Sequence, residues 1–262
     1  MNGYIFDLDG TIYIDNEIIP GVAEAIKGLK DRGDKVIFLT NKSIASREDY
    51  VKKLRMLNIE VNLDEVINSN YITALYLKSV MKTEDSVYVI GEAPLFEELR
   101  GENIKIVETS ANASHVVIGW DREFTYDKLN QAYQAWKNGA EIIATNPDRT
   151  CPVVDGDIPD CGAMIGALEG ATGEPIKVIT GKPSSLMANY VLNDVLQLEA
   201  SDCYMIGDRL ETDIKMGNSA GMKSVLVMTG ITTPKMLENA VHKPKYILES
   251  VRDILSLQVE VP

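Results

Sequence analysis

Tyr4-Ile5-Phe6-Asp7-Leu8-Asp9-Gly10-Thr11 sets an apolar run directly against two carboxylates one residue apart, followed by glycine and threonine. Tyr4 to Phe6 read as a strand buried on both faces, as in parallel sheets, whose ligands bind beyond the carboxyl ends of the strands. Asp7 and Asp9 stand at that end. With a side-chain period of two, both carboxylates lean to the same side, and so much negative charge beside an apolar strand is costly unless a cation or protons compensate it. A hard, oxygen-seeking cation such as Mg²⁺ is the simplest partner. The same residues also suit an Asx turn that ends the strand at Gly10.

Outward from this stretch, Pro20-Gly21 precedes Val22, Ala25, Ile26 and Leu29 at helical spacing, and Arg32-Gly33 forms a cation-then-glycine stop. Val36 to Leu39 read as a second buried strand, ending in Thr40-Asn41-Lys42-Ser43, which completes a βαβ unit. Covering helices are expected from about Ser46 to Leu57 and from Asn70 to Met81. Val87 to Ile90 open a new series: a helix around Leu95 to Leu99, the apolar stretch Ile104 to Val107, and a strand His115 to Ile118. A helix Tyr126 to Trp136, a strand Glu141 to Ala144, a turn at Asp155-Gly156 and a helix Ala163 to Ala171 before Thr172-Gly173 follow. The chain is expected to return to the first sheet near Val178, since Cys203 to Ile206, Ser224 to Met228 and Tyr246 to Leu248 resume the buried-strand pattern. The fold class is therefore α/β: a Rossmann-like parallel-sheet core in segments 1–81 and 179–262, with a second α/β domain, 82–178, inserted between them.

The chain of 262 residues, 45% hydrophobic and 25% charged, has the composition of a soluble globular protein. Its 26 basic and 39 acidic side chains leave a net charge of -13, which repels phosphate backbones and anionic membranes, so nucleic acid is a poor partner. Any phosphate site must rely on local lysine, backbone N–H groups and metal. Cys151, Cys161 and Cys203 are odd in number and show no C-x-x-C spacing, which indicates neither a disulfide framework nor a zinc knuckle and fits a reducing cytoplasm. The first strand begins within a few residues of Met1, leaving no room for a secretory leader, and no apolar run approaches the ~20 residues of a membrane span.

Three further stretches carry chemistry. Cys203 to Ile206 end in Gly207-Asp208-Arg209-Leu210-Glu211-Thr212-Asp213, so aspartates again follow a buried strand and open a helix. Asp208 can share a cation with Asp7, and Asp213, a turn later, can steady that arrangement or act as an outer ligand. Helix capping explains one such carboxylate, but not paired aspartates after two strands of one sheet. Thr40 and Asn41 offer a hydroxyl, an amide and backbone N–H groups to a phosphate, or simply cap the next helix. Gly181-Lys182-Pro183 holds a cation between a permissive and a rigid residue, suited to pairing with an anion.

In the order Asp-x-Asp, Thr, Lys, Gly-Asp, each after an apolar strand, the whole chain resembles the haloacid dehalogenase superfamily of phosphohydrolases. The second domain then looks like a type-two cap inserted between the threonine and lysine motifs. Ala144-Thr145-Asn146-Pro147-Asp148, Gly162 to Ala167 and Gly181-Lys182-Pro183 resemble the NagD and 4-nitrophenylphosphatase group. Tyr126 to Ala132 and Asp160-Cys161-Gly162-Ala163-Met164 look closest to sugar phosphatases of the arabinose-operon kind. Two departures stand out: Lys42 replaces a common second asparagine, and Pro159-Asp160-Cys161 replaces a Pro-Gly step.

The resemblance implies that Asp7 attacks phosphorus to give an aspartyl-phosphate, with Asp9 as general acid and then base. It implies Mg²⁺ held by Asp7, Asp9 (through its backbone carbonyl), Asp208 and Asp213. Phosphate binding falls to Leu8 (as a backbone amide after Asp7), Thr40, Asn41 and Lys182. Substrate contacts in the cap fall, more weakly, to Asn146, Asp148, Asp160 and Cys161. The expected substrate is a small phosphorylated metabolite, a sugar or polyol phosphate first; cap-mediated homodimerisation rests on the resemblance alone. A pyridoxal-phosphate or phosphoprotein phosphatase of the same fold is the nearest rival. A phospho-ligand binding protein without turnover is a rival from another class, against which the intact Asp7, Asp9, Lys182 and Asp208 speak.

Overall fold

The strand Gly3–Phe6 is buried along its whole length and pairs in parallel with Lys35–Thr40 on one side and Cys203–Gly207 on the other. Aromatic rings mark both registers. Tyr4 lies opposite Tyr204 with ring centroids 4.8 Å apart, and Phe6 opposite Phe38 at 6.3 Å. Such cross-strand pairs contribute ~0.2–1 kcal/mol each and oppose a slip that would turn every side chain to the wrong face.

The computed structural model describes residues 1–153 and 156–258. They divide into two compact units, one of residues 1–40, 47–67 and 187 onward, the other of residues 41–46 and 68–186. In the first unit the sheet runs in the order Tyr246–Leu248, Lys223–Val227, Cys203–Gly207, Gly3–Phe6, Lys35–Thr40, Val66–Asn68. From Gly3–Phe6 the chain first adds strands on one side and later, at Cys203, begins on the other. The order thus reverses beside the first strand, the place where open α/β sheets leave a crevice at the strands' carboxyl ends. Helix Val22–Asp31 buries Val22, Ala25, Ile26 and Leu29, the face expected from their spacing.

The second unit holds a parallel sheet in the order Val178–Ile179, Glu141–Ala144, His115–Ile118, Val87–Ile90, Ile106–Val107. Strand alternation sorts its side chains cleanly. Tyr88, Ile90, Val116 and Ile118 pack with Ala132 and Ala135 of helix Tyr126–Lys137 and with Met164 and Leu168 of helix Cys161–Thr172. Val87, Val89 and Val117 pack with Ala74 and Leu77 of helix Ser69–Val80 and with Leu95 and Leu99 of helix Ala93–Gly101. An antiparallel hairpin joins Thr150–Val153 to Gly156–Pro159. Of the turn expected at Asp155-Gly156, Asp155 lies outside the described residues, and Gly156 opens the second strand at φ 129°.

Two expectations are corrected. Val178–Ile179 does not rejoin the first sheet; it extends the second, with Val178 opposite Ile143 and Ile179 opposite Ala144. The same ladder continues as Thr180 N–H donates to Ala144 O and Gly181 N–H to Thr145 O. Helix Ser69–Val80 belongs with the second unit, because its apolar face is completed by that unit's strands. The units therefore divide outside the segments 82–178 drawn from the sequence. Among the described residues no helix is long and apolar enough to cross a membrane.

Candidate active site

Asp7 extends the first strand by one residue, its N–H donating to Ile206 O at 2.8 Å, and Asp208 follows Gly207 on the neighbouring strand. Asp213 lies in the π-helical turn Leu210–Ile214 that opens after Arg209. One carboxylate oxygen from each of Asp7, Asp208 and Asp213 lies within 4.8 Å of the others. Two oxygens on opposite sides of one divalent cation are separated by ~4–5 Å. The side chains are only 8%, 1% and 0% exposed. Three buried carboxylates so close together repel one another unless a cation joins them, and the all-oxygen donor set suits a hard ion such as Mg²⁺.

Glycines make the close packing of this cluster feasible. A Cβ on Gly207 would come 2.3 Å from Asp213 Cγ, and one on Gly10, which also holds φ 79°, would come 2.8 Å from Asp208 Oδ2. Backbone donors then fix the carboxylates: Ile231 N–H to Asp208 Oδ2 at 2.7 Å and Arg209 N–H to Asp213 Oδ2 at 3.1 Å. Thr232 Oγ1 donates to Asp208 O, and Thr229 Oγ1 to Gly10 O. The loop 229–232 is thus part of the site, and the sequence reading missed it. Its signal was the one used elsewhere: Thr229-Gly230-Ile231-Thr232 is polar after the apolar strand Lys223–Val227.

Asp9 lies beyond the end of the strand Gly3–Phe6. Its carboxylate is not among the three clustered groups. The strand's period of two ends at Leu8, whose carbonyl accepts from Thr11 N–H and Ile12 N–H, and Gly10 N–H donates to Tyr13 O. This turn leads into the small hairpin of Tyr13–Ile14 with Glu17–Ile18, and Asp9 makes an isolated bridge to Tyr13. The Leu8 side chain is fully buried, while Asp9 is partly exposed. Tyr13 is fully buried beneath the Lys53 ammonium, 3.6 Å above the ring centroid. Burial first, then the charge of Asp9, holds the phenol well above its ordinary pKa. Thr40 closes strand Lys35–Thr40 and is 2% exposed.

The other expected residues are gathered in the second unit. Lys182 is buried in the loop after Val178–Ile179. Asn41 Oδ1 accepts from Lys182 N–H at 2.8 Å, and Asn41 Nδ2 donates to Lys182 O at 3.0 Å and to Asp148 Oδ2 at 3.0 Å. Asn146, fully buried, donates from Nδ2 to Asn41 O at 3.0 Å and accepts at Oδ1 from Asp148 N–H. Asp160 caps helix Cys161–Thr172 through Cys161 N–H, which is why that helix starts two residues before the expected Ala163. The Cys161 thiol is fully enclosed, 3.5 Å from Ile118 O, and burial, with Asp160 as the next cause, pushes it up to about 12. Asn41, Asn146, Asp160 and Cys161 therefore spend their polar groups on the chain itself.

A family model described as haloacid dehalogenase-like hydrolase matches residues 4–105, and a related HAD-hydrolase-like model matches residues 179–254. Sugar-phosphatase AraL of Bacillus subtilis is 41% identical over 98% of this chain and 93% of its own length. The p-nitrophenyl phosphatase of Archaeoglobus fulgidus superposes with a TM-score of 0.91 at 37% identity, covering 98% of each chain. A glycerol phosphate phosphatase from Mycobacterium tuberculosis, solved in complex with magnesium, superposes with a TM-score of 0.87 at 27% identity, covering 97% of this chain and 76% of that one.

The chain belongs to the haloacid dehalogenase-like hydrolases, and its parallel α/β core is theirs. Within them it falls in the NagD and 4-nitrophenylphosphatase group: it is a phosphoric monoester hydrolase of small molecules.

Proposed function

We propose that the protein is a Mg²⁺-dependent hydrolase of sugar or polyol phosphates working through an aspartyl-phosphate on Asp7. The observation that carries this reading is the buried triad of carboxylates Asp7, Asp208 and Asp213 at adjoining strand ends. Asp7 is the nucleophile, since its carboxylate heads the first strand in the family's leading motif. Asp9, outside the triad and partly exposed, takes the proton-transfer role, first to the leaving alkoxide and then from water. Asp7, Asp208 and Asp213, with the Asp9 carbonyl, are the groups that would hold Mg²⁺. When bound, the ion supplies neutralising charge and alignment for phosphoryl transfer.

Lys182 adds a fixed positive charge for the phosphate, and Thr40 a hydroxyl. The second unit takes the part of the cap that selects the ester. Sugar and polyol phosphates are supported by the likeness to a sugar-phosphatase and to a glycerol phosphate phosphatase. The test is a set of steady-state rates on phosphosugars, polyol phosphates, pyridoxal phosphate and a phosphopeptide, with Mg²⁺ and with EDTA. The expected result is highest kcat/KM on a sugar or polyol phosphate and loss of turnover in EDTA. A clear preference for pyridoxal phosphate or the phosphopeptide would overturn the substrate assignment, and full activity in EDTA would overturn the metal.

A further inference from the structure

The side chain of Asn41 is 5% exposed and its hydrogen-bonding capacity is taken up within the second unit. One carboxamide meets both backbone groups of a single residue: its oxygen accepts from Lys182 N–H at 2.8 Å, and its nitrogen donates to Lys182 C=O at 3.0 Å. The remaining N–H goes to Asp148 Oδ2 at 3.0 Å. These partners fix the orientation of the amide, because a flipped group would set N–H against N–H and oxygen against a carboxylate. Asn41 is itself anchored, its carbonyl accepting from Ser69 Oγ at 2.7 Å and Asn146 Nδ2 at 3.0 Å. The fit is close: a Cβ on Gly181 would come 2.5 Å from Asn41 Oδ1.

We propose that Asn41 is a positioning residue, whose carboxamide clamps the Lys182 backbone and so determines where the Lys182 ammonium is carried, with Asp148 holding the clamp in orientation. This deepens the phosphatase reading and rests on Lys182 serving the phosphate. It replaces a direct phosphate-binding role for the Asn41 side chain and a substrate-binding role for the Asp148 oxygen that it engages.

Asn41→Asp is the decisive change. It preserves the acceptor for Lys182 N–H but removes both donors, and sets a carboxylate against the Lys182 carbonyl and the Asp148 carboxylate. Protonation of the new carboxyl returns one donor. The expected result is a kcat at least 10-fold lower at pH 7.5 with KM changed less than threefold, a deficit that shrinks toward acid pH relative to the parent, and recovery of most of the kcat at pH 7.5 when Asp148→Asn is added. An Asn41→Asp enzyme with unaltered kcat and pH profile would overturn the proposal. So would a KM increase with no rescue by Asp148→Asn, the outcome of direct phosphate contact by Asn41. Melting curves of each variant separate a misfolded protein from a mispositioned lysine; if Asn41→Asp does not fold, Asn41→Gln and Asp148→Asn alone must each lower kcat more than they raise KM, or the clamp is rejected. Lys182→Met is the control for the underlying reading: full activity in that variant removes Lys182 from phosphate chemistry, whereas its inactivity beside a normal Asn41→Asp enzyme removes only the clamp.

Discussion

A Cβ placed on Gly230 would lie 1.9 Å from Asp208 Oδ2, the atom that also accepts the Ile231 N–H. No side chain is compatible with that approach, so the carboxylate and the glycine define each other's place. Gly230→Ala is therefore expected to displace Asp208, lower activity at least 10-fold, and cost ~1–3 kcal/mol by overpacking. Denaturant unfolding and steady-state rates check both. A Gly230→Ala enzyme of parental activity would mean that Asp208 tolerates relocation.

With the nucleophilic role proposed for Asp7, Asp7→Asn should lower phosphate release by on the order of 10⁶-fold. The metal-free protein should melt no lower than the parent, because neutralising one member of the Asp7, Asp208, Asp213 cluster relieves repulsion. Calorimetry without metal, paired with single-turnover assays, tests both halves. A lower metal-free melting temperature would show that the Asp7 carboxylate stabilises the apo fold.

Mg²⁺ should stabilise the parent by mass action, about 2.7 kcal/mol at a hundred times its dissociation constant, and raise the melting temperature by several degrees. Asp213→Asn should weaken that response and shift its midpoint to higher Mg²⁺. A melting temperature indifferent to Mg²⁺ in the parent would separate the carboxylate cluster from cation binding.

Tyr13 gives a pH prediction with a definite sign. Its phenol is held well above its usual value by burial and by Asp9, so the folded state retains a proton that the unfolded chain begins to lose near pH ~10. The unfolded state then binds fewer protons, and stability falls as pH rises through and beyond that point. Tyr13→Phe should flatten the alkaline loss without lowering stability at pH 7, since the buried hydroxyl has no hydrogen-bond partner among the described residues. Urea midpoints of both proteins between pH 8 and 11 measure this; parallel curves would show that Tyr13 does not carry the effect.

The cysteines should be silent in the native enzyme. Cys151, Cys161 and Cys203 are all buried and form no disulfide among the described residues, and burial pushes Cys161 up to about 12 and Cys203 up to about 11. At pH 8 almost no thiolate of Cys161 or Cys203 is present to react. A chromogenic disulfide reagent should therefore label the three thiols only as fast as the protein opens, and prompt labelling of Cys161 would contradict its enclosed position.

The strands that carry the chemistry were legible because apolar runs ending in Asp7, Thr40 and Asp208 are a local signal, and a parallel sheet requires such runs. The grouping of Asp7, Asp208 and Asp213 followed from the same logic. The strand's end at Leu8 was less legible, because a period of two holds only while the strand lasts and a turn follows there. Val178-Ile179 carried no mark of its sheet: two β-branched residues fit either, and the partner Ile143-Ala144 is chosen by tertiary packing. The role of Asn41 was illegible for a chemical reason. A carboxamide serves a phosphate and a peptide group equally well, and only coordinates reveal that both of its ends are taken by Lys182.

The central position of Gly3–Phe6 has a cost at birth. That strand needs, for one flank, a partner that begins only at Cys203. At ~5–20 residues per second, the nascent chain waits ~10–40 s with that flank unsatisfied before Asp7 can meet Asp208. A polypeptide halted before Cys203 would hold Asp7 without Asp208 and Asp213, so the acidic cluster assembles only once that strand and the turn after it have been made.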